Sequence, residues 1–247
     1  MPTDTPCAWH GSVASFLAAP EEHLLSCLTA YLRETGAPQL LAWDRSLVVL
    51  REQLASCMPD AAEFAVVLEF ELPRTGGRRP DLIVLENGLV LVIEFKNRVM
   101  AEPQDLDQVK GYVRDLKEYH TLCRDKELIP ILVPIGMTGQ TEMREGVRVV
   151  PSAHLGATIR ELARSGSVRR GDGEAFVRAP FEPLPALVEA ARLLFERKPL
   201  PRIRAAESAR IPETLDALEA LAREARMTGK RVLALVSGVP GSGKTLV

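Results

Sequence analysis

Asn87-Gly88 stands between two apolar runs, DLIVLE before it and LVLVIEF after it, and no other feature of the chain restricts the fold as strongly. A two-residue Asn-Gly loop is the preferred type I′ hairpin connection, because both turn residues take positive φ and the turn's twist matches that of the strands. Loop length then sets the register: Glu86 faces Leu89 and, counting outward, Asp81 falls opposite Glu94 on the same sheet face. Cβ atoms of such a pair lie roughly 4.5–5.5 Å apart. Lys96, two residues beyond Glu94, points the same way. Three ionisable groups converge at one end of an otherwise apolar hairpin.

The hairpin extends into a longer pattern. VVLEFEL, DLIVLE and LVLVIEF, separated by PRTGGRR and Asn87-Gly88, read as an antiparallel meander over residues 65–95. Before it, residues 21–33 and 44–57 read as amphipathic helices. Leu24, Leu25, Leu28, Tyr31 and Leu32 form one stripe, Leu47, Leu50 and Leu54 another, and Asp44 is placed as an N-cap. After it, residues 104–120 return to helical spacing through Leu106, Val109, Val113, Leu116 and Tyr119. Leu128–Ile135 is a short apolar strand in which Pro130 and Pro134 argue for an edge or an irregular ladder. The order αβββαβ predicts an α/β fold with a mixed sheet flanked by helices.

From residue 152 to 228 the chain is helical and punctuated by proline, and RVLALVSGVPGSGKTLV then reads as an apolar strand entering a Gly-rich loop. The expected organisation is a first domain over 1–151, a helical connector over 152–228 and the start of a P-loop domain over 229–247.

Lys and Arg total 31 against 33 Asp and Glu, so any nucleic-acid site must be local rather than a global basic coat. Cys7, Cys27, Cys57 and Cys123 show no CxxC spacing and no His pattern suited to zinc, and are expected to be reduced, mostly buried thiols. No basic, apolar and cleavable leader is visible, and nothing approaches about 18 consecutive apolar residues. The chain is expected to be soluble and cytoplasmic.

Two carboxylates held opposite each other repel unless a cation or a shared proton compensates. Asp and Glu oxygens suit a hard ion such as Mg²⁺, which can activate a water and polarise a phosphoryl oxygen, while an ammonium beside it steadies developing charge. A plain ion cluster of Asp81, Lys96 and Glu94 at a solvated strand end is the alternative that the hairpin alone leaves open.

Pro80-Asp81 followed by Glu94-Phe95-Lys96 resembles the PD-(D/E)xK nuclease superfamily, and Gln108 with Tyr112 matches the QxxxY signature of its RecB-like branch. The resemblance implies a restriction-endonuclease-like core and a Mg²⁺- or Mn²⁺-dependent nuclease that hydrolyses DNA phosphodiester bonds, with RNA not excluded. Asp81 and Glu94 would bind metal, Lys96 would position the nucleophile, and Gln108 and Tyr112, one helical turn apart, would orient the site. The remaining acidic ligand is open. Glu69 shares the Asp81 face if opposed residue numbers across the PRTGGRR turn add to an even value. Glu71, two residues on, shares the face of Glu69 and is a candidate with it, and the family also draws a Glu from the first helix, where Glu52 is the candidate. Arg78, Arg79, Lys96, Arg98, Lys110 and Arg114 could hold phosphates or simply solvate a face.

Gly238 to Thr245 fits GxxxxGK[ST] after an apolar strand. Backbone amides at Gly238, Gly241, Ser242 and Gly243 would cradle phosphates, Lys244 would reach the terminal phosphates and Thr245 would hold Mg²⁺. Only two residues follow Thr245, so the chain reads as truncated just after the Walker A loop and is not expected to hydrolyse ATP by itself. An N-terminal PD-(D/E)xK domain joined through helices to GVPGSGKT is similar to the start of bacterial nuclease-helicase fusions with a superfamily 1-like motor. That likeness implies a motor domain in cis, ATP as its cofactor in the full-length protein, and roles in DNA repair or phage defence. A catalytically inactive module that loads nucleic acid for the motor is the main alternative; an ATPase with a structural adaptor at its N-terminus is a second.

Overall fold

The computed structural model describes residues 6–31, 37–73, 77–86, 88–163, 172–182, 211–229 and 231–234. Their elements run β1 (Trp9–Ser12), α1 (Val13–Ala18), α2 (Glu21–Tyr31), α3 (Ala37–Ala55), β2 (Ala65–Leu68), β3 (Leu82–Glu86), β4 (Leu89–Lys96) and α4 (Pro103–Tyr119). They continue with β5 (Glu127–Pro134), β6 (Glu142–Arg144), β7 (Val147–Val149), α5 (Leu155–Ala163), α6 (Gly173–Arg178) and α7 (Ile211–Thr228). Among the described residues the seven strands form one mixed, open sheet in the order β1-β2-β3-β4-β5-β7-β6. The fold is α/β.

β3 and β4 pair antiparallel with Glu86 opposite Leu89 and Leu82 opposite Ile93, the register expected from the two-residue loop. Gly88 takes φ +109° with no atom near its missing Cβ; Asn87 lies outside the described residues. β2 pairs antiparallel with β3, Leu68 opposite Leu82, which settles the open register on the even alternative and carries Glu69 toward Asp81. β4 continues through α4 into β5, which lies parallel to it along its full length.

β5 is an interior strand, so of the two arrangements its prolines allowed, an edge or an irregular ladder, it takes the second. Glu127 N–H donates to Gly88 O and Ile135 N–H to Lys96 O, so odd-numbered amides face β4. Pro130 and Pro134 therefore lack donors on the other side, where β7 pairs only with Ile131 and Leu132. The prolines fall in phase with the part of the ladder that needs no donor.

Helices cover both faces. On one, Val13 and Phe16 of α1, Leu24 and Leu28 of α2 and the α3 stripe Trp43, Leu47, Leu50 and Leu54 pack on Val66, Leu82, Val84, Leu91 and Ile93. On the other, Tyr112 and Leu116 of α4 and Phe176 and Val177 of α6 pack on Val67, Ile83, Leu85, Val90 and Val92. This two-sided burial explains why β3 and β4 read as near-continuous apolar runs. α3 begins at Ala37 and not at the expected Asp44 cap, so Asp44 sits exposed in mid-helix. Pro38 is tolerated in a first helical turn, and the helix formers that follow it carry the pattern upstream. α4 opens on Pro103, and Asp105 accepts a hydrogen bond from the Glu102 amide at 3.1 Å.

The first of two compact units is Met1–Pro183. α5 packs on α3 so closely that a Cβ on Gly156 would lie 2.5 Å from the Gln53 carbonyl, and the Cys57 thiol donates to Gly156 O at 3.2 Å. The second unit, Leu184–Val247, contains α7, which carries exposed Leu221 and Met227. Residues 231–234, expected to begin a strand, form neither helix nor strand. A strand exists by pairing, and no described segment pairs with them. Gly238, Gly241, Ser242, Gly243, Lys244 and Thr245 lie outside the described residues. Among those described, no helix is long and apolar enough to cross a membrane.

Candidate active site

The carboxylates meet where β2, β3 and β4 end. Asp81 occupies the bend that leads into β3, one residue beyond the last ladder pair, and is half-buried. Its Oδ2 accepts a hydrogen bond from the Phe95 amide at 2.7 Å, which ties it to the strand that carries Glu94 and Lys96. Glu94 is 4 % exposed.

α4 closes the site with the pair at one-turn spacing. Lys96 Nζ donates to Glu94 Oε1 at 2.9 Å and to Gln108 Oε1 at 2.8 Å. Gln108 Nε2 in turn donates to Glu94 Oε1 at 2.8 Å and to the Tyr112 hydroxyl at 2.6 Å. A glutamine fits here because its amide accepts from the ammonium through one end and donates to the carboxylate through the other. Burial first, and the Glu94 charge second, push the Tyr112 phenol upward, so its hydroxyl stays protonated.

Glu69 arrives by another route. It follows the last residue of β2 in the left-handed region at φ +51°, a conformation that costs a non-glycine residue about 1–2 kcal/mol. The left-handed residue shifts the alternation. Val66 and Leu68 face the α3 layer, yet Phe70 and Leu72 join the α4 layer. The Glu69 carboxylate accepts from Trp43 Nε1 at 3.0 Å and from Arg79 Nε at 3.1 Å.

Asp81, Glu94, Glu69, Gln108 and Tyr112 line a cavity of about 330 Å³, to which Leu28, Trp43, Leu47 and Leu50 contribute apolar surface. Burial raises the carboxyls of Asp81, Glu94 and Glu69 above the ordinary range. At Asp81 the charges of Glu94 and Glu69 add to burial, opposed by the Phe95 amide and Lys96, and the result lies well above the ordinary value. Lys96 opposes burial at Glu94; Trp43 and Arg79 do so at Glu69.

Glu94 Oε2 is buried and has no hydrogen-bond partner, which is the environment a hard cation would complete. Among the described residues no three His, Cys, Asp or Glu side chains are drawn together tightly enough to hold a metal ion. An ion here would rest on Asp81 and Glu94, with waters in the remaining positions.

Of the five residues named from the sequence as catalytic, Glu94, Lys96, Gln108 and Tyr112 form one hydrogen-bonded group, Asp81 is tied beside it through the Phe95 amide, and Glu69 lines the cavity with Asp81 and Glu94. Glu52 is exposed on α3 and outside the cavity lining. Glu71 accepts from the Tyr31 hydroxyl at 3.4 Å, also away from the cavity lining. The basic residues are engaged internally: Arg78 and Arg114 with Asp115, Arg79 with Glu69, Lys96 with Glu94, Arg98 with Glu102 and Asp105, and Lys110 with Asp107 and Glu145. Trp43 was missed as a site residue because helical spacing marks it only as core. Comparison of the chain with protein-family models, with curated proteins and with solved structures found no match.

Proposed function

We propose that the chain is a Mg²⁺- or Mn²⁺-dependent nuclease of restriction-endonuclease-like fold that hydrolyses DNA phosphodiester bonds. The observation that carries this reading is the orphaned, buried Glu94 Oε2 in the cavity that Asp81, Gln108 and Tyr112 also line, with Lys96 bonded to the same carboxylate. Asp81 and Glu94 are the residues that would hold the ion. When bound, the ion supplies Lewis acidity, lowering the pKa of a coordinated water and withdrawing charge from the phosphoryl oxygen. Lys96 stands in the same network with a spare N–H to direct at the attacking oxygen or at the charge that grows on phosphorus-bound oxygens. Gln108 fixes Lys96 and Glu94 relative to each other, and Tyr112 holds Gln108.

The Walker A match at Gly238–Thr245 supports a nucleotide-binding segment in cis with the nuclease, as in a cytoplasmic nuclease-helicase protein. A second reading, a catalytically silent module that only engages nucleic acid, is favoured by the lack of a three-ligand cluster among the described residues. Incubation with single-stranded, linear and supercoiled DNA in Mg²⁺ or Mn²⁺ decides between them. Metal-dependent cutting that disappears in Asp81→Ala and Lys96→Ala is expected; no cutting, or cutting unchanged in those variants, removes the nuclease assignment.

A further inference from the structure

We propose that Arg79 is a phosphate-binding residue of this cavity and that Glu69 is the positioning residue that aims it, not a third metal ligand; this rests on reading the cavity as a phosphodiester site. The two buried glutamates that line the cavity differ in one respect. Glu94 leaves one oxygen without a partner, whereas Glu69 has both engaged, Oε1 by the Trp43 indole at 3.0 Å and Oε2 by Arg79 Nε at 3.1 Å. A carboxylate bonded at both oxygens and matched by a guanidinium is compensated without a cation, whereas the bare oxygen of Glu94 is not.

The left-handed backbone at Glu69 follows from the same arrangement. It breaks the β2 alternation and sets the carboxylate where Trp43 of α3 can reach it, and this strain sits at the end of a strand that lines the cavity. Arg79 is held from the other side by sequence, immediately before Pro80, which biases it toward an extended backbone. Its bond to Glu69 uses Nε, the inner donor. That geometry leaves the terminal amino edge, the part of the guanidinium that fits an anionic oxygen pair.

The other cations are placed differently. Arg78 also lines the cavity, but its terminal Nη1 is bonded to Asp115 at 2.7 Å and its guanidinium lies 5.1 Å from the Tyr112 ring centre. Lys96 is bonded to Glu94 and Gln108, and Arg98, Lys110 and Arg114 are not among the cavity lining. Arg79 is the lining cation whose side-chain bond spares its fork.

The test separates DNA binding from metal binding in the full chain. A fluorescent single-stranded oligonucleotide is titrated by anisotropy over a range of salt, in an Asp81→Asn background so that no cleavage intervenes. Arg79→Gln is expected to weaken binding about ten- to a hundredfold and to reduce the steepness of log K against log salt by about 0.7, one phosphate contact on a single strand. Arg79→Lys restores the salt slope but only part of the affinity. Glu69→Gln weakens DNA binding, and combined with Arg79→Gln it adds nothing. In the DNA-free protein with Asp81 intact, Mn²⁺ titrated by calorimetry binds Glu69→Gln as it binds wild type, whereas Asp81→Asn loses the ion.

Unchanged DNA affinity and slope in Arg79→Gln overturn the phosphate assignment. Additive losses in the double variant, or loss of Mn²⁺ affinity in Glu69→Gln, overturn the positioning role. Should the wild-type chain bind DNA through Arg79 and yet not cut it, the nuclease reading fails while this one stands.

Discussion

Replacing Asp81 by Asn removes one charge from a crowded cavity and keeps an acceptor for the Phe95 amide. Opposed positions near roughly 5 Å, at an effective dielectric of about 20, repel by about 3 kcal/mol. Attraction to Lys96 and the Phe95 hydrogen bond offset part of this, but the net upward displacement of the Asp81 carboxyl shows that burial and repulsion win. In metal-free buffer at neutral pH Asp81→Asn should therefore be more stable than wild type, by about 1–2 kcal/mol. For a unit the size of Met1–Pro183 that corresponds to roughly 2–8 °C in melting temperature. Added Mn²⁺ should reverse the order: at a hundred times its Kd a bound ion would stabilise wild type by about 2.7 kcal/mol, or about 5–11 °C, and leave the variant unmoved. Differential scanning calorimetry in EDTA and in Mn²⁺ reads both arms. A variant less stable than wild type in EDTA, or one that gains as much from Mn²⁺, refutes the reasoning.

Acidification supplies a further set of tests. The folded-state pKa of Asp81 lies above the unfolded value near 3.9, so its share of stability is fully present below that value and is lost as pH rises through the raised one. The stability of metal-free wild type relative to Asp81→Asn should thus grow as pH falls from 7 toward 4, as urea titrations would show; a constant difference contradicts it. His120 acts in the opposite sense. It is fully buried with Nε2 against Phe176 O at 3.0 Å, and burial lowers its pKa to about 4. Its contribution is present above pH about 6.5 and lost as pH falls toward 4, on the order of 3 kcal/mol, which His120→Gln should abolish from the pH profile. Leu54→Ala empties a fully buried position between α3 and the sheet, and chemical denaturation should register a loss of about 2–5 kcal/mol. Lys96→Met should end cleavage while preserving the Mn²⁺-induced rise in melting temperature; loss of that rise would place Lys96 in metal binding instead.

What could be read from the sequence follows the range of the interactions involved. The juxtaposition of Asp81 and Glu94 is legible because a two-residue loop leaves no freedom of register, and that of Gln108 and Tyr112 because a helix has a fixed pitch. The longer PRTGGRR turn left Glu69 open between two faces. Its left-handed backbone could not be foreseen either, since VVLEFEL looks like uninterrupted alternation although Phe70 and Leu72 turn to the opposite layer from Leu68. β1, β6 and β7, of four, three and three residues, are too short to show a period and exist through their neighbours. Trp43 and Arg79 are joined to Glu69 across separations of 26 and 10 residues, and no local pattern announces such bonds.

The placement of the prolines in β5 bears on how the protein would behave at high concentration. The two eight-residue strands, β4 and β5, lie inside the sheet, and its described edges are β1 and β6, of four and three residues. Short edges offer little template for a strand from another molecule. Where β7 leaves β5 uncovered, Pro130 and Pro134 remove amides that such a strand would need. Replacing both with residues that restore those donors should leave the fold intact and shorten the protein's lifetime against aggregation on storage or refolding, an effect that light scattering would follow directly.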